Sequence, residues 1–163
     1  MTASRDDAVI AVDVGGTTIK GAVVNADGGF DRELHRPTPR QHGPEAVIAS
    51  LLAVVAELVA TGSSGIRAST AGPRAVGVVV PGVVDGAGGS AVFSANLGFR
   101  DVPVRDLVHS AVGLPTVLEH DVYAAGAAER TVGAAAGVDD HLLAVIGTGI
   151  AGVVHAAGGP VRG

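Results

Sequence analysis

The sequence predicts an α/β fold built on a mixed sheet. Three observations predict it. The chain opens with three short apolar strands joined by glycine turns. From there to about residue 136, segments of helical and strand periodicity alternate. A second strand–glycine turn–strand unit then occupies residues 141–154. Antiparallel strands followed by helix, strand, helix, strand and helix give a sheet with helices on its faces.

The elements follow in order. Residues 8–14, 19–24 and 30–36 read as strands, with turns at Gly15-Gly16 and Asp27-Gly28-Gly29. Asp-Gly between apolar runs is a strong hairpin signal. Pro37 and Pro39 end this meander, since proline cannot donate to a ladder. Gly43-Pro44-Glu45 opens a helix to about Ala60, in which Val47, Leu51, Val54 and Leu58 keep an i, i+4, i+7 spacing. Ile48, Leu52, Val55 and Val59 make its other flank apolar too, so it is expected to be covered on both sides. The Gly/Ser-rich stretch from Thr61 to Pro73 is a loop. Ala75–Val80 is a continuous apolar run, the pattern of a strand buried on both faces, and Pro81-Gly82 breaks it. Asn96-Leu97-Gly98 lies in a further loop. Val102–Val112 is a short helix opened at Pro103, Pro115–Glu119 another buried strand, and Asp121–Ala136 an alanine-rich helix weakened at Gly126. His141–Ile146 begins the last hairpin.

Composition narrows the function. At 163 residues the chain has the size of one ordinary domain, and with 47% hydrophobic but 2% aromatic residues its core must be aliphatic. A net charge of −5, with Lys20 the one lysine, argues against a nucleic-acid face. The absence of cysteine excludes disulfides and thiolate metal sites and suits a reducing compartment. Arg5, Asp6 and Asp7 precede any apolar run, unlike a signal peptide. The longest apolar stretch, Ala46–Ala60, carries Ser50 and Glu57 and is shorter than the roughly 20 residues that span a bilayer. The expectation is a soluble, cytoplasmic protein with no membrane or nucleic-acid partner.

The chemistry concentrates in two glycine turns, Asp13-Val14-Gly15-Gly16-Thr17-Thr18 and Gly147-Thr148-Gly149, whose first glycines stand 132 positions apart. Glycine tolerates positive φ and lets a backbone approach a ligand closely. Successive amides in a tight turn form a concave anion site. Asp13 and the hydroxyls of Thr17, Thr18 and Thr148 suit a phosphate that carries Mg²⁺. Either turn alone reads as an ordinary hairpin; together they read as two grips on a nucleotide polyphosphate. Lys20, taken alone, reads as a solvated strand-end charge. Asp121 ends a strand and begins a helix, where ligands collect in open α/β sheets, though taken alone it reads as a helix N-cap. Gly147–Gly152 fits G-x-G-x-x-G but lacks the helix and distal acid of a dinucleotide site, and there is no Walker A sequence. The other histidines show no ligand spacing.

Asp13-Val14-Gly15-Gly16-Thr17-Thr18-Ile19-Lys20 resembles the signature of the ROK family of sugar kinases and sugar-responsive repressors, within the actin-like ATPase superfamily. The likeness extends over Gly77–Asp85 with its Pro81-Gly82 turn, Asn96-Leu97, Leu114–Asp121, Ile146–Gly152 and Gly159–Gly163. It implies an actin-like ATPase (ribonuclease H-like) lobe over residues 1–138 and the first hairpin of a truncated second lobe over 139–163. It implies ATP-dependent, glucokinase-like phosphorylation of a hexose 6-hydroxyl, with Asp121 as catalytic base. Asp13, Gly15, Gly16, Thr17, Thr18, Lys20, Gly147, Thr148 and Gly149 would meet the phosphates, with Mg²⁺ near Asp13. Gly82, Asn96, His120 and Asp121 would meet the sugar. His120 and Tyr123 depart from the family, which commonly has asparagine at those places. The family's sugar-binding Glu-x-Gly-His segment and cysteine-rich zinc loop are not in this sequence, so a structural zinc of that kind is not possible here. The resemblance therefore implies an N-terminal half that is inactive alone, from a parent that is a homo-oligomer. The alternatives are the sugar-sensing core of a ROK-type regulator, or a degenerate remnant. Only 12 residues precede Asp13, too few for a helix-turn-helix, and the kinase motifs stand, which favours the kinase.

Overall fold

The computed structural model describes residues 8–62, 72–146 and 150–162. The chain forms two compact units, residues 1–119 and 120–163.

In the first unit, β1 (Val9–Val14), β2 (Thr18–Val24), β3 (Phe30–Pro37), β4 (Val76–Val80) and β8 (Thr116–His120) form one sheet in the order β3-β2-β1-β4-β8. β1 to β3 are an antiparallel meander, and β4 joins β1 in parallel, so the sheet is mixed as expected. Register places Ile10 beside Val23 and Val76, and Val12 beside Gly21 and Val78. These residues share one face and are buried. Helix α1 (Pro44–Gly62) covers that face with the stripe Val47, Leu51, Val54, Val55 and Leu58. Gly21 is where helix and sheet approach most closely. A Cβ there would stand 2.7 Å from Leu58 Cδ1 and 2.8 Å from Val54 Cγ1.

By length and composition α1 would pass for a membrane span, with mean hydropathy 1.8 over Pro44–Thr61. Its buried stripe instead packs on the sheet, and its second flank, Ile48, Leu52 and Val59, is partly buried against the same core.

Two strand expectations need correction. β4 and β8 are not buried on both faces. Val76, Val78 and Val80 alternate with partly exposed Gly77 and Val79, and in β8 buried Thr116 and Leu118 flank the exposed Val117. Among the described residues, helix α1 covers one face of this sheet, and a continuous valine run cannot reveal that by periodicity.

The segment after Pro81-Gly82, to which the sequence pattern assigns no element apart from the loop at Asn96-Leu97-Gly98, holds three strands. β5 (Val83–Asp85), β6 (Ser90–Ser94) and β7 (Phe99–Val102) form a second, antiparallel sheet. Asp85 closes its first turn, accepting from Gly88 N–H at 2.8 Å through its carboxylate and from Gly89 N–H at 2.7 Å through its carbonyl. Ala91, Leu97 and Phe99 anchor this sheet in the core. Helix α2 (Val104–Val112) follows Pro103, buries Val104 and Val108, and stops at Gly113, whose φ of 72° is left-handed.

The second unit consists of α3 (Asp121–Val132) packed on a three-stranded sheet of β9 (His141–Ile146), β10 (Ile150–Ala156) and β11 (Gly159–Pro160). α3 ends four residues before the expected Ala136, because Gly133 is extended and Glu129 accepts from Ala134 N–H at 2.8 Å. Gly126 is a contact point: a Cβ there would fall 2.6 Å from Val153 Cγ1 and 2.8 Å from His155 Nε2. β9 and β10 pair antiparallel, with His141 opposite His155 and Ile146 opposite Ile150.

Candidate functional site

The first glycine turn is built by β1 and β2 and held from beyond β3. Gly15 N–H donates to Thr18 carbonyl at 3.0 Å, closing the turn. Thr38, 5% exposed and set between Pro37 and Pro39, then binds it twice. Its backbone N–H donates to Thr17 carbonyl at 2.9 Å and its hydroxyl to Gly15 carbonyl at 2.6 Å. The carbonyls of Gly15, Thr17 and Thr18 are thus occupied inside the protein. The amides of Gly16 and Thr17 make no backbone hydrogen bond to the described residues. In the peptide unit that joins Gly15 to Gly16 the carbonyl is tied back to Thr38, so the Gly16 N–H points away from it, the polarity that an anion requires.

Neither Gly15 nor Gly16 has positive φ. Proximity, rather than left-handed backbone, is what asks for glycine here. A Cβ on Gly16 would lie 3.2 Å from Asn96 Cβ, and one on Gly15 3.0 Å from Thr18 carbonyl oxygen. The structure therefore brings Asn96, from the expected sugar group, against the first glycine turn, from the expected phosphate group. Buried Leu97 anchors the loop between β6 and β7, leaving Asn96 exposed beside Gly16.

Gly82 does need its conformation. Its φ is 115°, and a Cβ would collide with the Phe93 carbonyl and stand 2.9 Å from Ser94 Cα. The Pro81-Gly82 turn is thereby held to the end of β6, next to the Asn96 loop. Asp13 and Lys20 are cross-strand partners on β1 and β2, so the carboxylate has a cation as its neighbour on one face. Asp13 is half-buried and Lys20 exposed. Thr17 is exposed and Thr18 half-buried, so the hydroxyls and the Asp13 carboxylate offer the oxygen donors that Mg²⁺ prefers.

In the second unit, Asp121 is the first residue of α3 and not its N-cap. His120 is the cap: its Nδ1 accepts from Val122 N–H at 3.2 Å. Asp121 Oδ1 accepts from the same N–H at 2.8 Å and lies 3.1 Å from His120 Nδ1. The correction has a simple cause. An imidazole nitrogen can cap as an oxygen does, and the residue before Asp121 is the one with extended backbone. An acid in the first turn sits favourably at the positive end of the helix dipole. The His120 ring also meets that of Tyr123, with centroids 5.4 Å apart, and the Arg162 guanidinium lies 4.9 Å from the Tyr123 ring centroid. Gly147, Thr148 and Gly149 lie outside the described residues.

Sequence reasoning missed Thr38 and the Tyr123–Arg162 pair. A signal for the first was available: a hydroxyl residue between two prolines that end a strand is placed to satisfy a neighbouring turn.

The model of the ROK family matches residues 9–163. A glucokinase of Halalkalibacterium halodurans is 30% identical over 154 residues, covering 94% of this chain and 46% of the relative. An N-acetylmannosamine kinase of Escherichia coli is 29% identical over 144 residues, covering 88% of this chain and 45% of the relative. Among solved structures, a ROK family glucokinase from Streptomyces griseus in complex with glucose and AMPPNP superposes with a TM-score of 0.79 at 32% identity, covering 96% of this chain and 46% of that one. The chain thus spans under half the length of these relatives.

Proposed function

The chain belongs to the ROK family, and on that premise we propose that it is the N-terminal part of an ATP-dependent, glucokinase-like sugar kinase. Its mixed α/β architecture is the actin-like ATPase fold of the ROK glucokinases. The observation that carries the proposal is the contact of Gly16 with Asn96, which joins a phosphate-type turn to a sugar-type residue within one compact unit.

In this reading the outward amides of Gly16 and Thr17 hold phosphate oxygens, with Thr18 and Lys20 beside them, while Asn96 and Gly82 border the sugar. Asp13, Thr17 and Thr18 are the residues that would hold Mg²⁺, which supplies charge neutralisation on the phosphates. Gly147, Thr148 and Gly149 are assigned to a second phosphate grip, and His120 to a sugar hydroxyl. We assign residues 139–163 to the start of the second lobe. The 6-hydroxyl oxygen of the hexose forms a bond to the γ-phosphorus as the bond to ADP breaks, and the hydroxyl proton passes to Asp121. One Asp121 oxygen is held by Val122 N–H, so its partner oxygen is left to take that proton. Phosphoryl transfer asks for positioning and neutralisation more than covalent chemistry, and this set of groups supplies both. The protein so read is cytoplasmic.

The test is a coupled ADP assay with glucose, N-acetylmannosamine and other hexoses in Mg-ATP, on residues 1–163 and on the same residues joined to the remaining half of a ROK glucokinase. The joined protein is expected to turn over and the 163-residue chain to give no measurable rate. Asp121→Asn in the joined protein should lower kcat by about 10²–10⁴-fold, the range for a lost general base. Near-normal turnover by that variant would remove Asp121 from the role.

A further inference from the structure

We propose that Thr38 is a positioning residue for the nucleotide phosphates, acting through the first glycine turn; the inference rests on the kinase reading of that turn. Thr38 touches no reacting atom. It engages two carbonyls of the turn at once, and the Gly16 N–H, opposite the held Gly15 carbonyl in a trans peptide unit, points away from it. Its hydroxyl takes Gly15 carbonyl at 2.6 Å and its N–H takes Thr17 carbonyl at 2.9 Å. Those two bonds fix the peptide units that carry the Gly16 and Thr18 amides, one on either side of the unit that carries the Thr17 amide. A peptide unit is rigid, so fixing its carbonyl oxygen fixes the direction of its N–H.

Thr38 is itself held. Pro37 pairs opposite Thr18 as the last rung of the β2–β3 ladder, Pro39 follows it, and Arg40 N–H donates to the Thr38 carbonyl at 2.9 Å. Prolines on both sides restrict the backbone of the residue between them. The side chain is 5% exposed, so water does not compete well for the Gly15 carbonyl. The arrangement is a brace: a buried hydroxyl that costs little to order holds the turn in the form that binds phosphate. A free glycine turn would otherwise lose conformational freedom when it met its ligand.

The inference separates the hydroxyl from the backbone bond. Thr38→Val removes the first, preserves shape and leaves the second; Thr38→Ser keeps both. Both variants are compared with the parent sequence in the 163-residue chain, by amide hydrogen exchange at Gly15 and by titration with Mg-ATP and with glucose. The Gly15 amide closes the turn on Thr18, so its exchange reports turn rigidity with no ligand present. Thr38→Val should raise that exchange rate and weaken Mg-ATP roughly fivefold to tenfold, the factor set by one hydrogen bond. Glucose affinity should stay constant, and Thr38→Ser should restore parental behaviour. Unchanged Gly15 exchange in Thr38→Val overturns the inference. So does an equal loss for both ligands that serine does not restore, because that marks a purely structural role. If the 163-residue chain binds no Mg-ATP, the two titrations are made on the joined protein, where absence of Mg-ATP binding would make the kinase reading fail, and Gly15 exchange alone then decides whether Thr38 braces the turn.

Discussion

The two glycine hairpins share a local pattern and differ in almost everything else. Val14 and Ile19 flank the first turn as cross-strand partners, and each is 0% exposed. Ile146 and Ile150 flank the second in the same way, at 78% and 81% exposure. One face of the first hairpin lies under α1, with β3 and β4 on its edges. The second has α3 against one face, where Val153 and His155 are buried. Leu142, Ile146, Ile150 and Val154 share the other face and are exposed. Equal apolar patterning therefore does not mean equal burial. Burial is conferred by the layer that packs on a hairpin, and that layer comes from elsewhere in the chain.

The largest effect should come from truncating matched positions. Ile19→Ala empties a fully buried site and is expected to destabilise the first unit by about 2–5 kcal/mol. Ile150→Ala, at the equivalent position after the second turn, should stay within about 0.5 kcal/mol. Urea denaturation followed by far-UV circular dichroism would measure both. Equal costs would mean that the second hairpin is as well covered as the first, and the contrast would collapse.

How far the sequence was legible follows from the same contrast. The meander, α1, β4, α2, β8 and α3 were readable because each has a period or a Gly/Pro boundary of its own. The β5–β7 sheet was not: its strands are 3, 5 and 4 residues long, too short for alternation to stand out. β4 and β8 were read as doubly buried because a valine run looks the same under one layer or two. In the candidate site, the turn at Gly15-Gly16 and the strand-to-helix boundary at Asp121 were legible from motif and boundary. The closeness of Gly16 to Asn96 was not, since it joins residues 80 positions apart. Of the two reasons the sequence offers for glycine in this turn, positive φ and close approach to a ligand, the first does not hold, and the closeness to Asn96 adds a third. His120 as the cap of α3 was hidden because capping statistics favour the neighbouring Asp.

A second prediction concerns pH and singles out the second unit. His155 and His141 stack with ring centroids 4.4 Å apart, and all four ring nitrogens are buried without a hydrogen-bond partner among the described residues. Burial pushes the His155 pKa below its ordinary 6.5, and the charges of His141 and Arg130 push it the same way. Arg130 is itself paired with Asp139 at 2.9 Å. The folded state thus favours neutral His155, while the unfolded chain takes the proton more readily. The contribution of His155 is complete above about 6.5, and it is lost as pH falls from there through the lowered folded value. Tyr123, the one tyrosine in a chain without tryptophan, lies in this unit, so its fluorescence reports it selectively. Its urea midpoint should fall between pH 7.5 and pH 5, and His155→Phe should flatten that dependence. A midpoint indifferent to pH in the parent chain would sink the idea.

The smallest expected change in stability is also the sharpest test of the exposed face. Ile146 and Ile150 are directly opposite across the β9–β10 ladder, and Leu142 and Val154 form a second such pair on the same face. Four large aliphatic side chains exposed together make a patch that monomeric proteins seldom present, and it invites association. The double substitution Ile146→Lys with Ile150→Glu puts opposite charges at a cross-strand pair, a combination that supports rather than breaks a ladder. Fold stability should therefore shift by no more than about 0.5 kcal/mol. Sedimentation velocity of the 163-residue chain should show self-association that weakens with protein dilution in the parent sequence and is reduced in the double variant. The matching change at the first turn, Val14→Lys with Ile19→Glu, should unfold its unit, because both positions are sealed. If the Ile146–Ile150 variant loses its fold while association is unchanged, this face is already covered within the monomer, and the two hairpins are alike after all.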